Sequence, residues 1–385
     1  MKINQWQILT IWVIVILASI IFRSVSPVSA AMHQYASLIP LPKADYKYAI
    51  HLPFLKNNHQ EKPPLSLSEI KFWAYQIQAI NESGMVDKLV ASSYDMLVLE
   101  PTRTDWSSDD KLFNTKGMVD KVKNSTASNG INRKMVLAYI DIGEAEDWRW
   151  YWNWSKGWDC TGPRPDDWPD YIIACDPDGW IGNYPIAYWN SSWQDIVIYG
   201  KNQNSEPYGE YTSVIDEVIS DGFDGIYLDW VEGFENEQVA QAAQSAGLDP
   251  ADEMIAFIQE MRKYATARDP DFVIIQQNAS ALIDGHPELV DAIDAISQEA
   301  IWYDGDATDE WNDPDGYDWV NDTDLVSYYI DHLDKYLNAG LPVFNCEYAL
   351  TYSNQAYVNS YANGYIPYVS RRSLSDLTTT PPPGY

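Results

Sequence analysis

The stretch Asp221–Glu232 reads D-G-F-D-G-I-Y-L-D-W-V-E, and the fold can be worked out from it. Two Asp-Gly pairs, which are typical of turns, precede a short apolar run that ends on Asp229. A strand places Gly225, Tyr227 and Asp229 on one face and the intervening apolar residues on the other. Two mostly apolar faces indicate a strand buried in a parallel sheet. Asp229 then lies at the carboxyl end of the strand, where barrels and open α/β sheets carry their functional groups.

Seven further apolar segments resemble this one, and helical segments separate most of them. The predicted strands are Phe72–Gln78, Met96–Pro101, Lys134–Gly143, Gly225–Val231, Phe272–Ala279, Ala295–Trp302, Pro342–Ala349 and Ile366–Ser370. The predicted helices are Gly84–Ser93, Met118–Ala127, Tyr211–Ser220, Asp252–Ala267 and Leu325–Asn338. Eight strands alternating with helices over about 300 residues predict a single-domain (β/α)8 TIM barrel. An open doubly wound sheet is the alternative, although no Gly-rich phosphate loop follows the first strand.

Six of the predicted strands end in polar side chains. These are Glu100, then Asp141, Glu144 and Glu146, then Asp229, then Gln277 and Asn278, then Glu299, and finally Glu347 with Tyr348. A carboxylate that only caps the next helix is the structural alternative for any one of them. Burial of several carboxyl groups is costly unless they are paired or used. Their convergence at one end of a barrel therefore indicates a functional site.

Two carboxyl groups that face each other across a sugar can cleave a glycosidic bond. One is protonated and helps the leaving oxygen to depart, while the other is ionised and attacks or activates water. We predict that Asp229 and Glu299 are this catalytic pair. The other acids and amides at the strand ends, together with Tyr75, Tyr139, Trp230, Trp302 and Tyr348, are predicted to bind substrate.

The composition restricts the possible partners. The chain has 56 Asp and Glu against 25 Lys and Arg, a formal net charge of −31. We expect no nucleic acid partner, because phosphate binding requires the opposite charge. An acidic field concentrates cations, including a positively charged polymer, although it also serves solubility alone. No His or Cys falls at zinc-ligand spacing, so no metal site and no cofactor are predicted.

The two ends of the chain differ from its middle. Residues 1–30 combine Lys2, a long apolar run and a small-residue site, as in a secretory signal peptide; an uncleaved membrane anchor is the alternative. We therefore expect a secreted or cell-surface protein, with membrane contact only through this segment. Residues 31–68 are rich in proline and are predicted to be a linker to a domain at 69–375. Residues 376–385 are predicted to be a disordered tail.

The segment after the third strand, residues 143–193, contains nine of the seventeen tryptophans. Loops of this length are usually functional, and indole faces stack on sugar rings. We expect half or more of these tryptophans to form the loop's own core and the remainder to line a groove. Cys160 and Cys175 in this loop are plausible disulfide partners, and Cys346 is predicted to be a buried free thiol.

Three motifs, F-W-A-Y-Q-I (72–77), Y-I-D-I-G-E-A-E (139–146) and G-F-D-G-I-Y-L-D (222–229), resemble glycoside hydrolase family 114. These are endo-α-1,4-polygalactosaminidase-like (β/α)8 proteins, and the resemblance covers residues 72–370. It implies hydrolysis of an α-1,4-linked galactosamine polymer by acids at the ends of strands four and six, which match Asp229 and Glu299. The long tryptophan-rich loop departs from the family pattern, as does Glu347, where Asp is expected before Tyr348.

Two functions from other classes are compatible with the same sequence. A non-catalytic glycan-binding barrel at the cell surface would use the same groove without turnover. An acidic surface protein that holds calcium in loops such as 304–318 would have a structural role.

Overall fold

The computed structural model describes residues 62–101, 113–200, 212–305 and 317–385. The predicted signal segment at 1–30, the predicted linker up to residue 61 and residues 306–316 of the acidic loop lie outside these ranges. Within them, no helix has the length and apolar character needed to span a bilayer.

Eight parallel strands form one sheet in the order of the sequence. They are β1 (Trp73–Gln76), β2 (Met96–Leu99), β3 (Met135–Asp141), β4 (Gly225–Asp229), β5 (Val273–Gln277), β6 (Ala295–Glu299), β7 (Val343–Glu347) and β8 (Ile366–Val369). The indole N–H of Trp73 in β1 donates a hydrogen bond to the Ile366 carbonyl in β8 at 2.9 Å, so the first and last strands lie side by side. The structure confirms the predicted (β/α)8 barrel.

Helices lie between the strands in the described part of the chain. They are α1 (Met85–Ala91), α2 (Thr115–Lys123), α3 (Ser191–Gln194), α4 (Val214–Asp221), α5 (Glu237–Ser245), α6 (Pro250–Thr266), α7 (Thr323–Asn338) and α8 (Ser353–Ala362). Short 3-10 turns occupy Leu67–Glu69, Val231–Glu235, Ser280–Ile283, Pro287–Asp291 and Leu350–Tyr352, and a π-turn occupies Asp195–Tyr199. The five predicted helices correspond to α1, α2, α4, α6 and α7. Helix α8 was missed because Ser353, Ser360 and Tyr357 are among its buried residues, so it lacks an apolar stripe.

The turn residues at the start of the stretch 221–232 have structural roles. Gly222 ends α4 in the left-handed conformation, with φ of 84°. The carboxylate of Asp224 accepts hydrogen bonds from the Arg133 guanidinium at 2.6 and 2.7 Å and from the backbone N–H of Val136 at 2.9 Å. These bonds join the amino end of β4 to β3, and the resulting register pairs Asp141 with Asp229.

Aromatic side chains fill the barrel below the carboxylates. The ring centroid of Tyr75 lies 5.2 Å from that of Tyr227 and 6.0 Å from that of Tyr139. The ring centroids of Trp73 and Phe344 are 5.5 Å apart. All five residues are buried. These rings fill the interior of the barrel, so the polar groups at the strand ends lie at the open, carboxyl end of the barrel.

The tryptophan-rich loop has its own core. Trp150, Trp152, Trp168 and Trp193 are buried, and a disulfide joins Cys160 to Cys175 with a Cα–Cα distance of 6.1 Å. A two-stranded hairpin pairs Glu144–Glu146 with Asn183–Pro185 and connects the loop to the end of β3. Outside the loop, Cys346 is a buried free thiol, as predicted.

Both ends of the domain extend further than predicted. Pro64, assigned to the linker, forms a parallel bridge with Arg133. The C-terminal residues, predicted to be disordered, pack on the barrel: the Tyr385 ring lies 4.6 Å from Tyr94 and 5.6 Å from Phe72. The Tyr385 hydroxyl accepts a hydrogen bond from the backbone N–H of Ser93 at 3.0 Å. Composition did not reveal these contacts, because they come from one terminal ring and from main-chain groups.

We expect the substitution Tyr385→Ala to lower the melting temperature by about 3 °C, because it removes partly buried apolar area and a hydrogen bond. Tyr385→Phe keeps the ring and should lose less than half of that amount. Thermal unfolding followed by circular dichroism measures both changes. An unchanged melting temperature in Tyr385→Ala would show that the C-terminal residues do not stabilise the domain.

Candidate active site

A cavity of about 280 Å³ opens at the carboxyl ends of the strands. Twelve of the fourteen predicted site residues line it: Tyr75, Glu100, Tyr139, Asp141, Glu144, Glu146, Asp229, Trp230, Gln277, Asn278, Glu299 and Tyr348. The parallel sheet therefore brings together side chains that are far apart in the sequence, at the end where barrel enzymes carry their active sites.

Asp229 is held by two hydrogen-bond donors. The Tyr139 hydroxyl donates to Oδ2 at 2.5 Å, and the backbone N–H of Trp230 donates to Oδ1 at 2.8 Å. Trp230 has a left-handed backbone with φ of 58°, which is uncommon for a residue with a side chain. Gly143 makes room for it, because a Cβ at that position would lie 2.3 Å from the Trp230 carbonyl oxygen. The motif at residues 139–146 therefore packs directly against the end of the motif at residues 222–229, around Asp229.

Glu299 is held by donors from two other strands. The Tyr348 hydroxyl donates to Oε1, and the Asn278 side-chain amide donates to Oε2 at 3.1 Å. The amide oxygen of Asn278 accepts from the backbone N–H of Glu299 and from the Gln298 side chain, both at 3.0 Å. These two bonds orient the amide so that its NH2 group faces the carboxylate.

The two carboxyl groups influence one another. Burial, followed by the negative charge of Glu299, raises the pKa of Asp229 to about 7, although the hydrogen bonds from Tyr139 and Trp230 act in the opposite direction. The pair can therefore keep one proton close to neutral pH. A carboxylic acid beside a carboxylate is the combination that acid-assisted bond cleavage requires.

Glu232 is a third carboxyl group of the site, and sequence reasoning missed it. It lies in the 3-10 turn after β4 and lines the cavity. Its Oε1 accepts from the Asn278 amide at 3.3 Å, whereas its Oε2 is buried with no partner among the described residues. Burial and the charge of Asp229 raise the pKa of Glu232 to about 8. Its position three residues after Asp229 was the available signal.

Two of the predicted substrate-binding acids share one arginine as their ionic partner. Arg149 Nε donates to Glu146 at 2.7 Å, and its guanidinium also bonds both oxygens of the Glu100 carboxylate. All three side chains are buried. Buried carboxylates with a cationic partner are satisfied, so Glu100 and Glu146 line the cavity as ion-paired groups.

Asp141 and Glu144 complete the acidic side of the cavity. Asp141 Oδ1 accepts from the backbone N–H groups of Gly143 at 3.0 Å and Glu144 at 2.9 Å, which shapes the turn after β3. Glu144 Oε2 accepts from the Asn183 amide at 3.2 Å. Burial raises the pKa of both acids well above the ordinary range, and the neighbouring carboxylates, Glu146 for Asp141 and Asp141 for Glu144, raise them further.

Glu347 and Trp302 were predicted to bind substrate, but the structure does not place them in the cavity. The Glu347 carboxylate accepts from the backbone N–H groups of Trp302 at 3.2 Å and Tyr303 at 2.8 Å, and from the Asn345 amide at 3.0 Å. It ties the loop after β6 to β7. Trp302 is buried and packs 6.0 Å from the ring of Tyr365. Position at a strand end does not distinguish such a structural carboxylate from a functional one.

Other cavity residues come from segments that the sequence analysis did not assign to the site. Arg372, which follows β8, lies 4.6 Å from the Tyr348 ring and donates to the Gly305 carbonyl at 3.1 Å and to Asp304. Trp148 and Trp180 from the long loop also line the cavity, in keeping with the expected groove-lining minority. No sequence pattern around Arg372 indicated that it belongs to the site.

A (β/α)8 barrel with several interacting carboxyl groups in its mouth fits the class of barrel enzymes that cleave glycosidic bonds. The family model described as Glycoside-hydrolase family GH114 matches residues 72–382. The chain therefore belongs to this glycoside-hydrolase family, and a polysaccharide substrate is implied.

Similar proteins occur in distant organisms. An uncharacterized protein of Deinococcus radiodurans is 28% identical over 321 residues, covering 82% of this chain and 85% of the relative. An uncharacterized protein of Methanocaldococcus jannaschii is 28% identical over 331 residues, covering 81% of this chain and 80% of the relative. The glycoside hydrolase domain of PelA from Pseudomonas aeruginosa superimposes with a TM-score of 0.52 at 14% identity, over 80% of this chain and all of that one. Aspergillus fumigatus Ega3 in complex with galactosamine superimposes with a TM-score of 0.50 at 16% identity, over 80% of this chain and 94% of that one.

We expect Asp229→Asn to raise the melting temperature by about 3 °C or more at pH 8 and to have no such effect near pH 4. The pKa of Asp229 is higher in the folded chain than the ordinary value of about 3.9. Ionisation of Asp229 therefore lowers the stability of the fold as the pH rises above the ordinary pKa. The full cost is reached above the pKa of about 7 that Asp229 has in the folded chain.

Differential scanning fluorimetry across this pH range measures the effect. The exposed Asp271, at the amino end of β5, provides a matched control in Asp271→Asn. An equal gain at pH 4 and pH 8, or no gain at either, would contradict the inferred electrostatics.

Proposed function

We propose that this chain is an exported hydrolase of an amino-sugar polysaccharide, an α-1,4-linked galactosamine-type polymer, with Asp229 and Glu299 as the catalytic pair. One observation carries the proposal. The two carboxyl groups line the same cavity from the ends of β4 and β6, each receives a tyrosine hydroxyl, and the charge of Glu299 raises the pKa of Asp229. Export is supported by the sequence of residues 1–30 alone.

The sugar is inferred from charge and from similarity. A de-acetylated amino sugar is a cation, and the cavity contains Asp141, Glu144 and Glu232 besides the pair. The similar Ega3 structure is a complex with galactosamine. An ammonium group beside a buried carboxyl group lowers the raised pKa of that group, so the cavity acids become charged as the cation binds and then stabilise it.

The reaction follows from one shared proton. The protonated carboxyl group of the pair gives its proton to the glycosidic oxygen as the bond to the anomeric carbon breaks. The ionised partner attacks that carbon or removes a proton from an attacking water. Tyr139 and Tyr348 each donate to one carboxyl oxygen of the pair, and the Trp230 N–H and the Asn278 amide donate to the other two, so that both groups have a fixed orientation.

The test is the release of reducing ends from partly de-acetylated α-1,4-galactosaminan by the purified protein. We expect Asp229→Asn and Glu299→Gln each to lower the rate about 10³-fold or more, because each removes a group that acts in the transition state. Asp271→Asn should retain the full rate. All variants should keep a folded circular dichroism spectrum.

The outcomes separate the alternatives. Cleavage by the wild type with one variant unaffected would remove that residue from the pair. Binding of the polymer without cleavage, unchanged in Asp229→Asn, would favour a non-catalytic glycan-binding barrel instead.

A further inference from the structure

The rim of the catalytic cavity carries an exposed apolar pair. Trp180 has 40% of its surface exposed and Ile181 has 92%, and both line the cavity. Trp180 is the exposed tryptophan among those that the structure describes. Single exposed apolar residues are ordinary, but two neighbours at the mouth of an otherwise acidic cavity indicate a contact surface for a ligand.

The Trp180 backbone is held in place by its own loop. Its N–H donates to Asp176 Oδ1 at 2.9 Å, and its carbonyl accepts from the Asn183 N–H at 3.3 Å. Asp176 follows Cys175 of the disulfide, and Asn183 begins the strand that pairs with Glu144–Glu146, shortly after β3. A covalent link and a strand pair therefore flank the residue, so little ordering entropy remains to be lost when a ligand binds.

A carboxylate lines the same cavity as this indole. Asp178 is exposed, lines the same cavity and stands two residues before Trp180. An indole face stacks on the apolar C–H face of a sugar ring, and a carboxylate pairs with an ammonium group. The combination fits a sugar that carries a free amine better than it fits a neutral sugar.

We propose that Trp180 and Asp178 form a sugar-binding subsite at the rim of the cavity, separate from the catalytic pair, that binds a de-acetylated amino sugar of the polymer. This inference rests on the proposed function, since it takes the same polymer as substrate. Occupation of the subsite requires a chain that extends beyond the sugars at the cleaved bond. The subsite therefore makes long chains better substrates than short ones.

The experiment compares initial rates on reducing-end-labelled α-1,4-galactosamine oligomers of two to eight sugars. We expect Trp180→Ala to lower kcat/KM on the octamer about five- to ten-fold and to flatten the dependence on chain length. Trp180→Phe should restore most of that loss. The control is Tyr361→Ala, which removes a similarly exposed ring on α8 outside the catalytic cavity and should leave the wild-type length dependence intact.

A second arm tests the carboxylate. Asp178→Asn should reduce the preference for the de-acetylated octamer over its N-acetylated form by about five-fold or more, because it removes the charge that pairs with the ammonium group. An unchanged preference would remove Asp178 from the subsite. If Trp180→Ala kept the wild-type dependence of kcat/KM on chain length, or lost the same factor in kcat/KM at every length, the proposed subsite would be overturned.

The subsite can be judged even if the proposed function fails. Should the wild type cut no oligomer, calorimetric titration with the octamer replaces the rates. Weaker binding by Trp180→Ala than by Tyr361→Ala would support the subsite, and equal binding by the two would overturn it.

Discussion

Carboxyl groups that share one cavity cannot all ionise without cost, and much of the structure around the barrel mouth responds to that constraint. Asp229 and Glu299 each receive a tyrosine hydroxyl and a second donor, which stabilises the charged form of either group. Burial and mutual repulsion act against this and raise the pKa of Asp229. The balance leaves the pair with one bound proton and one negative charge, whereas two fully solvated acids would both be ionised at neutral pH.

The barrel supplies the geometry that this balance needs. Non-glycine residues adopt left-handed backbones immediately after three strands: Trp230 after β4, Asn278 after β5 and Ala300 after β6. Each such residue costs of order 1 kcal/mol, and strain of this kind accumulates at functional sites. Here it turns the chain sharply at the strand ends, so that the backbone N–H of Trp230 reaches Asp229 and the Asn278 amide reaches Glu299. The aromatic floor beneath keeps these groups at the mouth.

The barrel itself was predictable from the sequence, because apolar runs that end on acids mark buried parallel strands directly. The residues Asp229, Glu299 and Tyr139 followed from their position at or within those strands. Partners that depend on tertiary contact did not. Arg149, which forms ion pairs with Glu100 and Glu146, lies in an irregular loop, and nothing local distinguishes it from a surface arginine.

Two errors have the same origin. Glu347 was taken for a substrate-binding acid, yet it holds backbone N–H groups of a neighbouring loop. The C-terminal residues were taken for a tail, yet Tyr385 packs on Tyr94. Strand position and composition describe a residue's local surroundings, whereas both roles depend on which segment folds against it.

The shared proton can be observed by carbon-13 NMR titration of protein labelled at the aspartate carboxyl carbons, with the Asp229 signal assigned through Asp229→Asn. Asp229 should titrate near pH 7 in the wild type, and its pKa should fall in Glu299→Gln, where the neighbouring charge is gone. A titration near pH 4 in both proteins would show that the two groups do not form an electrostatic pair, and the proposed catalytic arrangement would have to be abandoned.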